Sequence, residues 1–184
     1  MDPVTGKTRL ATVWLGGCSG CHMSFLDLDE WLITLASQVQ LVYSPIADIK
    51  EYPEGVDVAL IEGAVANDEH LHMIRRVRQR TTHLVSFGDC AVTGNVTAMR
   101  NPLGAAEPVL RRAYLEGAEV AAQIPAEPGI LPTLLDRVHA VHEIVPVDTF
   151  LPGCPPPADR IRGVLEQILA GKRPVLVGAD LKAG

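Results

Sequence analysis

The sequence lacks a surplus of positive charge. Its 16 Lys and Arg residues are outnumbered by 22 Asp and Glu residues, so the formal net charge is −6. The one short basic stretch, residues 75–80, follows a helical pattern. It is interpreted as a solvated helix face, or as a contact surface for another subunit or an acidic cofactor. Because binding to a phosphate backbone requires a basic face, this charge distribution argues against a nucleic-acid partner.

Long apolar runs and export signals are also lacking. No stretch approaches the roughly 18 consecutive apolar residues that a membrane-spanning helix requires. Residues 1–10 are mixed and polar, without the apolar core of a secretory signal or the paired arginines of a twin-arginine signal. We therefore expect a cytoplasmic protein with no membrane span. Its 184 residues, 47% of them hydrophobic, are enough for one globular domain.

Neither a G-x-G-x-x-G motif nor a P-loop is present, so the sequence does not indicate a dedicated nucleotide site. Cysteine is scarce, with four residues in the whole chain. A disulfide framework is not expected in a reducing cytoplasm. These cysteines are therefore interpreted as metal ligands, catalytic thiols or core residues.

Short apolar segments alternate with helical patterns along the chain. The pattern predicts strands over residues 9–15, 39–43, 56–61, 83–87 and 143–150 and helices over residues 24–36, 69–80, 108–117, 134–142 and 158–170. Residues 95–129, punctuated by prolines, are interpreted as a loop-rich insertion. Alternation of this kind predicts an α/β fold with a doubly wound parallel sheet.

The four cysteines follow predicted strands. Cys18 and Cys21 lie in a G-G-C-S-G-C segment, Cys90 closes F-G-D-C, and Cys154 lies in P-G-C-P-P-P. In a doubly wound sheet the loops at the carboxyl ends of the strands meet at one edge, where ligands bind. Four thiolates converging there would suit a four-iron cluster.

Other interpretations of these residues remain open at this point. A structural zinc site is the main alternative, although such sites usually pair two C-x2-C segments. Buried thiols or a redox dithiol are a further alternative, but a dithiol role leaves two of the cysteines unexplained. Glu62, His22 and Asp89 lie next to the predicted edge. Each is either a cluster-shell or subunit-contact residue, or an ordinary packing or capping residue.

Four segments taken together resemble the small subunit of [NiFe] hydrogenases. They are W-L-G-G-C-S-G-C at 14–21, I-E-G at 61–63, F-G-D-C at 87–90 and L-P-G-C-P-P at 151–156. Respiratory complex I subunits of the same fold carry adjacent cysteines in the first segment, whereas Ser19 and Gly20 separate them here. The resemblance implies a single flavodoxin-like iron–sulfur domain over residues 1–184. It also implies one proximal [4Fe-4S] cluster, with four metal ligands: Cys18, Cys21, Cys90 and Cys154.

The resemblance is strongest to the small subunit of soluble NAD(P)-reducing hydrogenases. It implies an electron-transfer subunit without catalytic residues of its own, in a hydrogen:NAD(P)+ oxidoreductase. The expected partners are a large subunit with the NiFe centre and diaphorase subunits with FMN, NAD(P) and further clusters. Alternatives are an F420-reducing or complex I-like assembly, or a zinc-stabilised scaffold without redox function. FMN in this chain is a further alternative, since flavodoxin-like folds bind FMN at these loops.

Overall fold

The structure, a computed structural model, describes residues 6–181. The expectation that residues 1–10 carry no export signal therefore lies partly outside the described residues. Across residues 6–181, none of the helices has the length and apolar character needed to cross a membrane.

Five parallel strands form the main sheet. They are Thr8–Trp14 (β1), Val39–Tyr43 (β2), Val56–Glu62 (β3), Thr81–Phe87 (β5) and Thr149–Leu151 (β7). Their order is β2-β1-β3-β5-β7, and every neighbouring pair is parallel. Two further strands, Val65–Asn67 (β4) and Leu134–His139 (β6), pair antiparallel in a small second sheet.

Helices cover both faces of the main sheet. They are Gly20–Leu26 (α1), Trp31–Gln38 (α2), Asp68–Arg80 (α3), Asp89–Thr93 (α4), Glu107–Arg111 (α5), Val141–Ile144 (α6) and Ala158–Leu169 (α7). A π-helical turn, Arg112–Glu116, extends α5, and 3-10 segments span Asn95–Leu103 and Gly178–Leu181.

Alternate residues of the central strands β1, β3 and β5 enter two separate cores. Ala59 and Ile61 of β3 pack in one core with Ile74 of α3, whereas Val58 and Leu60 pack in the other with α7. Period-two alternation in strands that are buried on both faces produces this division. Together with the strand order, it confirms the predicted doubly wound α/β fold.

Helix α3 begins and ends as its sequence indicates. The side chain of Asn67 accepts a hydrogen bond of 2.7 Å from the backbone nitrogen of His70. Acidic residues occupy the first turn and basic residues the last, which suits the helix dipole. The inward face buries Ile74 and Val77. The predicted helix over 69–80 is confirmed, one residue longer at its start.

The predicted helix over 24–36 is divided in two. Helix α1 ends at Leu26, and Asp29 takes a left-handed conformation with φ 48° before α2 begins. The apolar residues continue at helical spacing across this break, so the pattern in the sequence did not show it. The split keeps α1 short, with its first turn next to the loop that follows β1.

The predicted helix over 134–142 is wrong. Residues 134–139 form β6, which pairs with β4, a strand that the sequence did not predict. The side chain of Arg100 donates to the carbonyl oxygens of Leu135 and Asp136, and Asn101 bonds the backbone of Val138 in both directions. Long-range contacts therefore override the local helical pattern.

The last strand of the main sheet is shorter than the predicted 143–150. Only Thr149–Leu151 pairs with β5, while Val141–Ile144 forms helix α6. Pro146 lies between them and has no backbone N–H for a strand ladder. Asp148, just before β7, accepts a hydrogen bond of 2.8 Å from the backbone nitrogen of Leu84 and so continues the connection to β5.

Candidate metal centre

All four cysteines lie at the carboxyl edge of the main sheet. Cys18 and Cys21 follow β1, Cys90 follows β5, and Cys154 follows β7. Strand β3, which lies between β1 and β5, ends at the same edge with Glu62. The topology therefore brings together three loops that are far apart in sequence, as the parallel arrangement predicts.

The thiols are close enough to influence one another electrostatically. Burial raises the pKa of Cys21, and charges on Glu62 and the other three cysteines raise it further. Burial also raises the pKa of Cys90, with contributions from Cys154, Cys18 and Glu62, while a hydrogen bond with Thr97 lowers it. Bringing several thiolates together here without a cation is therefore unfavourable, because each disfavours the charge on the next.

Close backbone packing joins the loops after β1 and β3. The backbones of Gly16 and Ala64 exchange two hydrogen bonds of 2.9 Å. A Cβ on Gly16 would lie 2.9 Å from the carbonyl oxygen of Ala64, and a Cβ on Gly63 would lie 2.9 Å from the backbone of Gly16. Glycine at these positions lets the two loops touch, which sets the direction of the chain leading to Cys18.

A buried carboxylate holds the first turn of α1. Glu62, only 1% exposed, accepts a hydrogen bond of 2.9 Å from the backbone nitrogen of His22, and its carboxylate also contacts His22 Nδ1. Because His22 follows Cys21 directly, these contacts orient the helix turn that carries the Cys21 thiol. In the loop after β5, a Cβ on Gly88 would collide with Cys21 Sγ. Cys21 thus lies in a cradle that only glycine at position 88 leaves open.

Asp89 ties the loop of Cys90 to the loop of Cys154. Its carboxylate oxygen Oδ1 accepts a hydrogen bond of 2.6 Å from the backbone nitrogen of Gly153, and its own backbone nitrogen donates to the carbonyl oxygen of Gly153 at 2.9 Å. Asp89 is buried, with 5% of its surface exposed. This pair of bonds fixes the spacing between the two loops that each supply one cysteine.

Three side chains that make contacts at this edge, those of Ser24, Asn95 and Thr97, were missed by the sequence analysis. Ser24 Oγ donates a hydrogen bond of 2.6 Å to the carbonyl oxygen of Pro156, which ties α1 to the Cys154 loop. Asn95 Nδ2 lies 3.5 Å from Cys154 Sγ as a donor, and Thr97 bonds both Cys90 and the carbonyl oxygen of Gly16. The available signal was position alone, since Asn95 and Thr97 follow the Cys90 motif within seven residues.

The remaining histidines do not join this group. His139 Nδ1 contacts Glu143 at 2.9 Å, and the ring of His142 packs edge-on against Phe150. Burial lowers the pKa of His70, in the first turn of α3, and of His83, which lies near the amino end of β5, whereas Cys90 follows the carboxyl end.

The donor set fits an iron–sulfur cluster. Four cysteine thiols are the soft ligands that such clusters use, and the Gly88 cradle and neighbouring amide donors suit thiolates that must be kept close together. Cys18 and Cys154 are exposed, Cys90 is half-buried and Cys21 is buried. Among residues 6–181, no three His, Cys, Asp or Glu side chains form a group that would hold a single metal ion.

The chain is similar to known proteins over most of its length. The family described as NADH ubiquinone oxidoreductase, 20 Kd subunit, matches residues 18–168. The delta subunit of the NAD-reducing hydrogenase HoxS of Cupriavidus necator is 39% identical over 181 residues, covering 94% of this chain and 86% of that protein. A chain in the crystal structure of an NAD+-reducing [NiFe]-hydrogenase in the H2-reduced state is 41% identical, with a TM-score of 0.91. That match covers 97% of this chain and 99% of that chain.

An archaeal relative is longer. The F420-non-reducing hydrogenase of Methanocaldococcus jannaschii contains a chain that is 35% identical over 175 residues, covering 94% of this chain but 60% of that protein. The chain thus spans about three fifths of that relative. These similarities confirm the resemblance to hydrogenase small subunits. The relatives described here are subunits of hydrogenases, which are oxidoreductase complexes.

Proposed function

We propose a function from the premise that this chain belongs to the family of the NADH ubiquinone oxidoreductase 20 Kd subunit. The chain is the electron-transfer small subunit of an NAD(P)-reducing [NiFe] hydrogenase that acts in the cytoplasm. The complete assembly would catalyse H2 + NAD(P)+ → NAD(P)H + H+. Hydrogen would be split at a NiFe centre in a separate large subunit, and the nicotinamide would be reduced in a diaphorase module with FMN.

One observation carries this proposal: four thiols from three distant loops meet at the carboxyl edge of one sheet, in a chain similar to an NAD-reducing hydrogenase subunit along 94% of its length. Cys18, Cys21, Cys90 and Cys154 would hold one [4Fe-4S] cluster. When bound, that cluster would supply reversible one-electron transfer.

The residues around the thiols would position them and exclude water. Glu62 and His22 hold the turn that carries Cys21, and Asp89 holds the loop of Cys154 against that of Cys90. Because burial raises the pKa of the Cys21 and Cys90 thiols, loading a cluster must displace protons from these two cysteines. The chain's own contribution is thus a preformed arrangement of the loops.

The surface near the cysteines supports a tight contact with another subunit. Exposed apolar side chains lie on β1, on α1 and on the Asn95–Leu103 segment, which contacts the cysteine loops at its start; they are Trp14, Met23, Val96, Met99 and Leu103. Electron transfer between centres requires a short separation, so the large subunit would dock on this edge. An obligate contact of this kind is expected to be large and partly apolar.

A second candidate differs in the electron acceptor. The similarity to the longer archaeal chain favours a different hydrogenase assembly. In that assembly the same cluster would pass electrons to a module that does not reduce a nicotinamide. In this case the cysteine ligands and the large subunit are the same, and only the module that accepts the electrons changes. The identity of the copurifying subunits separates the two candidates.

Metal analysis is the first test of the proposed function. The full chain, purified without oxygen, should contain about four irons and four sulfides, and little zinc. Cys90→Ala should lose the intact four-iron cluster, whereas Ser19→Ala, at a non-ligand position between the first two cysteines, should keep it. One zinc per chain without iron would overturn the proposal and support a zinc-stabilised scaffold.

Complex purification is the second test. An affinity tag on this chain should recover, without oxygen, a nickel-containing large subunit and flavin-containing subunits. The recovered complex should reduce NAD+ or NADP+ with hydrogen. A complex that oxidises hydrogen with an artificial dye but reduces neither nicotinamide would favour the second candidate.

A further inference from the structure

We propose that Asn95 is a tuning residue, whose side-chain amide donates a hydrogen bond to Cys154 Sγ and thereby raises the reduction potential of the cluster. This proposal rests on the proposed function, because it assumes that Cys154 is a cluster ligand. It adds a residue outside the four cysteines that sets how readily the cluster accepts an electron.

The backbone conformation places Asn95 next to Cys154. Gly94 and Asn95 both have positive φ angles, 85° and 36°, where helix α4 ends and the following 3-10 segment begins. Asparagine is one of the few residues other than glycine that adopts this conformation readily. The turn directs the segment back toward the sheet edge, and Asn95 Nδ2 reaches Cys154 Sγ, 59 residues away in sequence, at 3.5 Å.

Contacts on both sides of Asn95 hold this turn in place. The backbone nitrogen of Gly94 donates to the carbonyl oxygen of Cys90 at 2.9 Å, and that of Ala98 donates to the carbonyl oxygen of Gly94 at 3.0 Å. Thr97 Oγ1 donates to the carbonyl oxygen of Gly16 at 2.9 Å. The backbone of the turn that carries Asn95 is therefore held by the loops of Cys90 and Cys18.

The chemistry of the contact gives the direction of the effect. Reduction adds negative charge to a cluster and its thiolates, and a hydrogen-bond donor at a ligand sulfur stabilises the reduced form. Asn95 is a neutral donor at the sulfur of Cys154, which is exposed in the chain.

The second neighbouring side chain is less suited to this role. Thr97 has one hydroxyl hydrogen, for which the carbonyl oxygen of Gly16, at 2.9 Å, competes with the thiol of Cys90. Asn95 has two amide hydrogens, so a bond to sulfur does not compete with its other donor. We therefore assign the tuning to Asn95 and use that residue for the test.

The test measures the midpoint potential of the cluster in the full chain, reconstituted without oxygen and titrated with detection by electron paramagnetic resonance. Asn95→Asp keeps the shape of the side chain but replaces the donor with a charged acceptor. It should lower the midpoint potential by about 59 mV, which is a tenfold decrease in the equilibrium constant for one-electron reduction. Asn95→Gly suits the positive φ, removes the donor and should shift the potential in the same direction by less. Iron–thiolate stretching frequencies from resonance Raman spectra should shift in both variants.

Asn101→Asp is the matched control, because Asn101 lies in the same segment but bonds the backbone of Val138 and no sulfur. Its potential should equal that of the unmodified chain. The proposal is overturned if Asn95→Gly loads fully and keeps the original potential, or if Asn101→Asp shifts it equally. If the Asn95→Asp variant does not take up the cluster, the midpoint potential of the Asn95→Gly variant decides the outcome. An unmodified chain that takes up no iron would instead overturn the proposed function, and this proposal with it.

Discussion

Gly88 is the residue at which the candidate site leaves the least room. Its φ of 83° and ψ of 163° fall in a region that only glycine adopts readily, and a Cβ there would collide with Cys21 Sγ. We expect Gly88→Ala to lower the stability of the fold by about 1–3 kcal/mol. It should also lose most of the bound iron, as measured by metal analysis and thermal unfolding.

Gly104→Ala separates backbone strain from the collision with the thiol. Gly104 also has a positive φ, 80°, but a Cβ on it would meet nothing within 4 Å. This variant should cost about 1 kcal/mol and retain its iron. If both variants lose iron equally, the Gly88 cradle is not needed for cluster binding.

Asp89 is expected to act through the loop that it holds. Asp89→Ala leaves the buried nitrogen of Gly153 without its carboxylate acceptor, which costs about 1–3 kcal/mol. The loop of Cys154 should then move, so iron content should fall and the cluster should be lost sooner on exposure to air. Asp89→Asn keeps an acceptor oxygen and should lie between the two. Unchanged iron content and melting temperature in Asp89→Ala would contradict this role.

At the scale of elements, Asp148 connects β5 to the start of β7. Burial alone would raise the pKa of Asp148, but the hydrogen bond from the nitrogen of Leu84 and the guanidinium of Arg78 outweigh burial and lower it. A carboxyl whose pKa is lowered by folding stabilises the folded protein at pH values above 3.8, the ordinary pKa of the group. That stability is lost as the pH falls through the lowered pKa.

We therefore expect Asp148→Asn to lower the free energy of unfolding by about 1 kcal/mol at pH 7, since the side chain is partly exposed. The difference from the unmodified chain should begin to shrink as the pH falls below about 4, where the carboxyl becomes protonated in the unfolded state, and should vanish below the lowered pKa, where it is protonated in the folded state too. Denaturant unfolding at several pH values measures this. Asp48→Asn, at a fully exposed carboxylate, should leave the free energy of unfolding unchanged at every pH.

The elements that the sequence predicted correctly are those whose pattern is set locally. Helix α3 has its cap, its charged ends and its buried stripe within one segment, and α7 likewise presents one apolar face. Strand β6 was missed because its partners are distant: β4 lies 67–74 residues earlier, and Arg100 and Asn101 lie more than 30 residues earlier. Six residues with both apolar and polar positions fit a helix and a strand equally well.

At the scale of the whole molecule, the placement of the cysteines followed from topology. Parallel strands bring their carboxyl ends to one edge, so knowing which strand precedes each cysteine was enough to predict that the thiols lie at the same edge. The partners of Asp89 and Asn95 were not predictable in the same way. They lie 64 and 59 residues away, and only the packed loops bring them within hydrogen-bonding distance.

The apolar surface beside the cysteines leads to a prediction about assembly. Met99 is 74% exposed, in the segment that contacts the loops of Cys18 and Cys154, and burial of such a side chain in a contact would stabilise it by about 1.5–3 kcal/mol. Met99→Glu should therefore reduce recovery of the large subunit with a tagged chain, because it places a charge in an apolar contact.

Leu41→Glu is the control for this change. Leu41 is also exposed, at 52%, but it lies on the edge strand β2 opposite Leu10, four residues before the end of β1. It should leave recovery of the large subunit unchanged, and both variants should keep their four irons. Equal loss of the large subunit in both variants would place the contact elsewhere, since a charge far from the cysteines would then be as disruptive as one beside them.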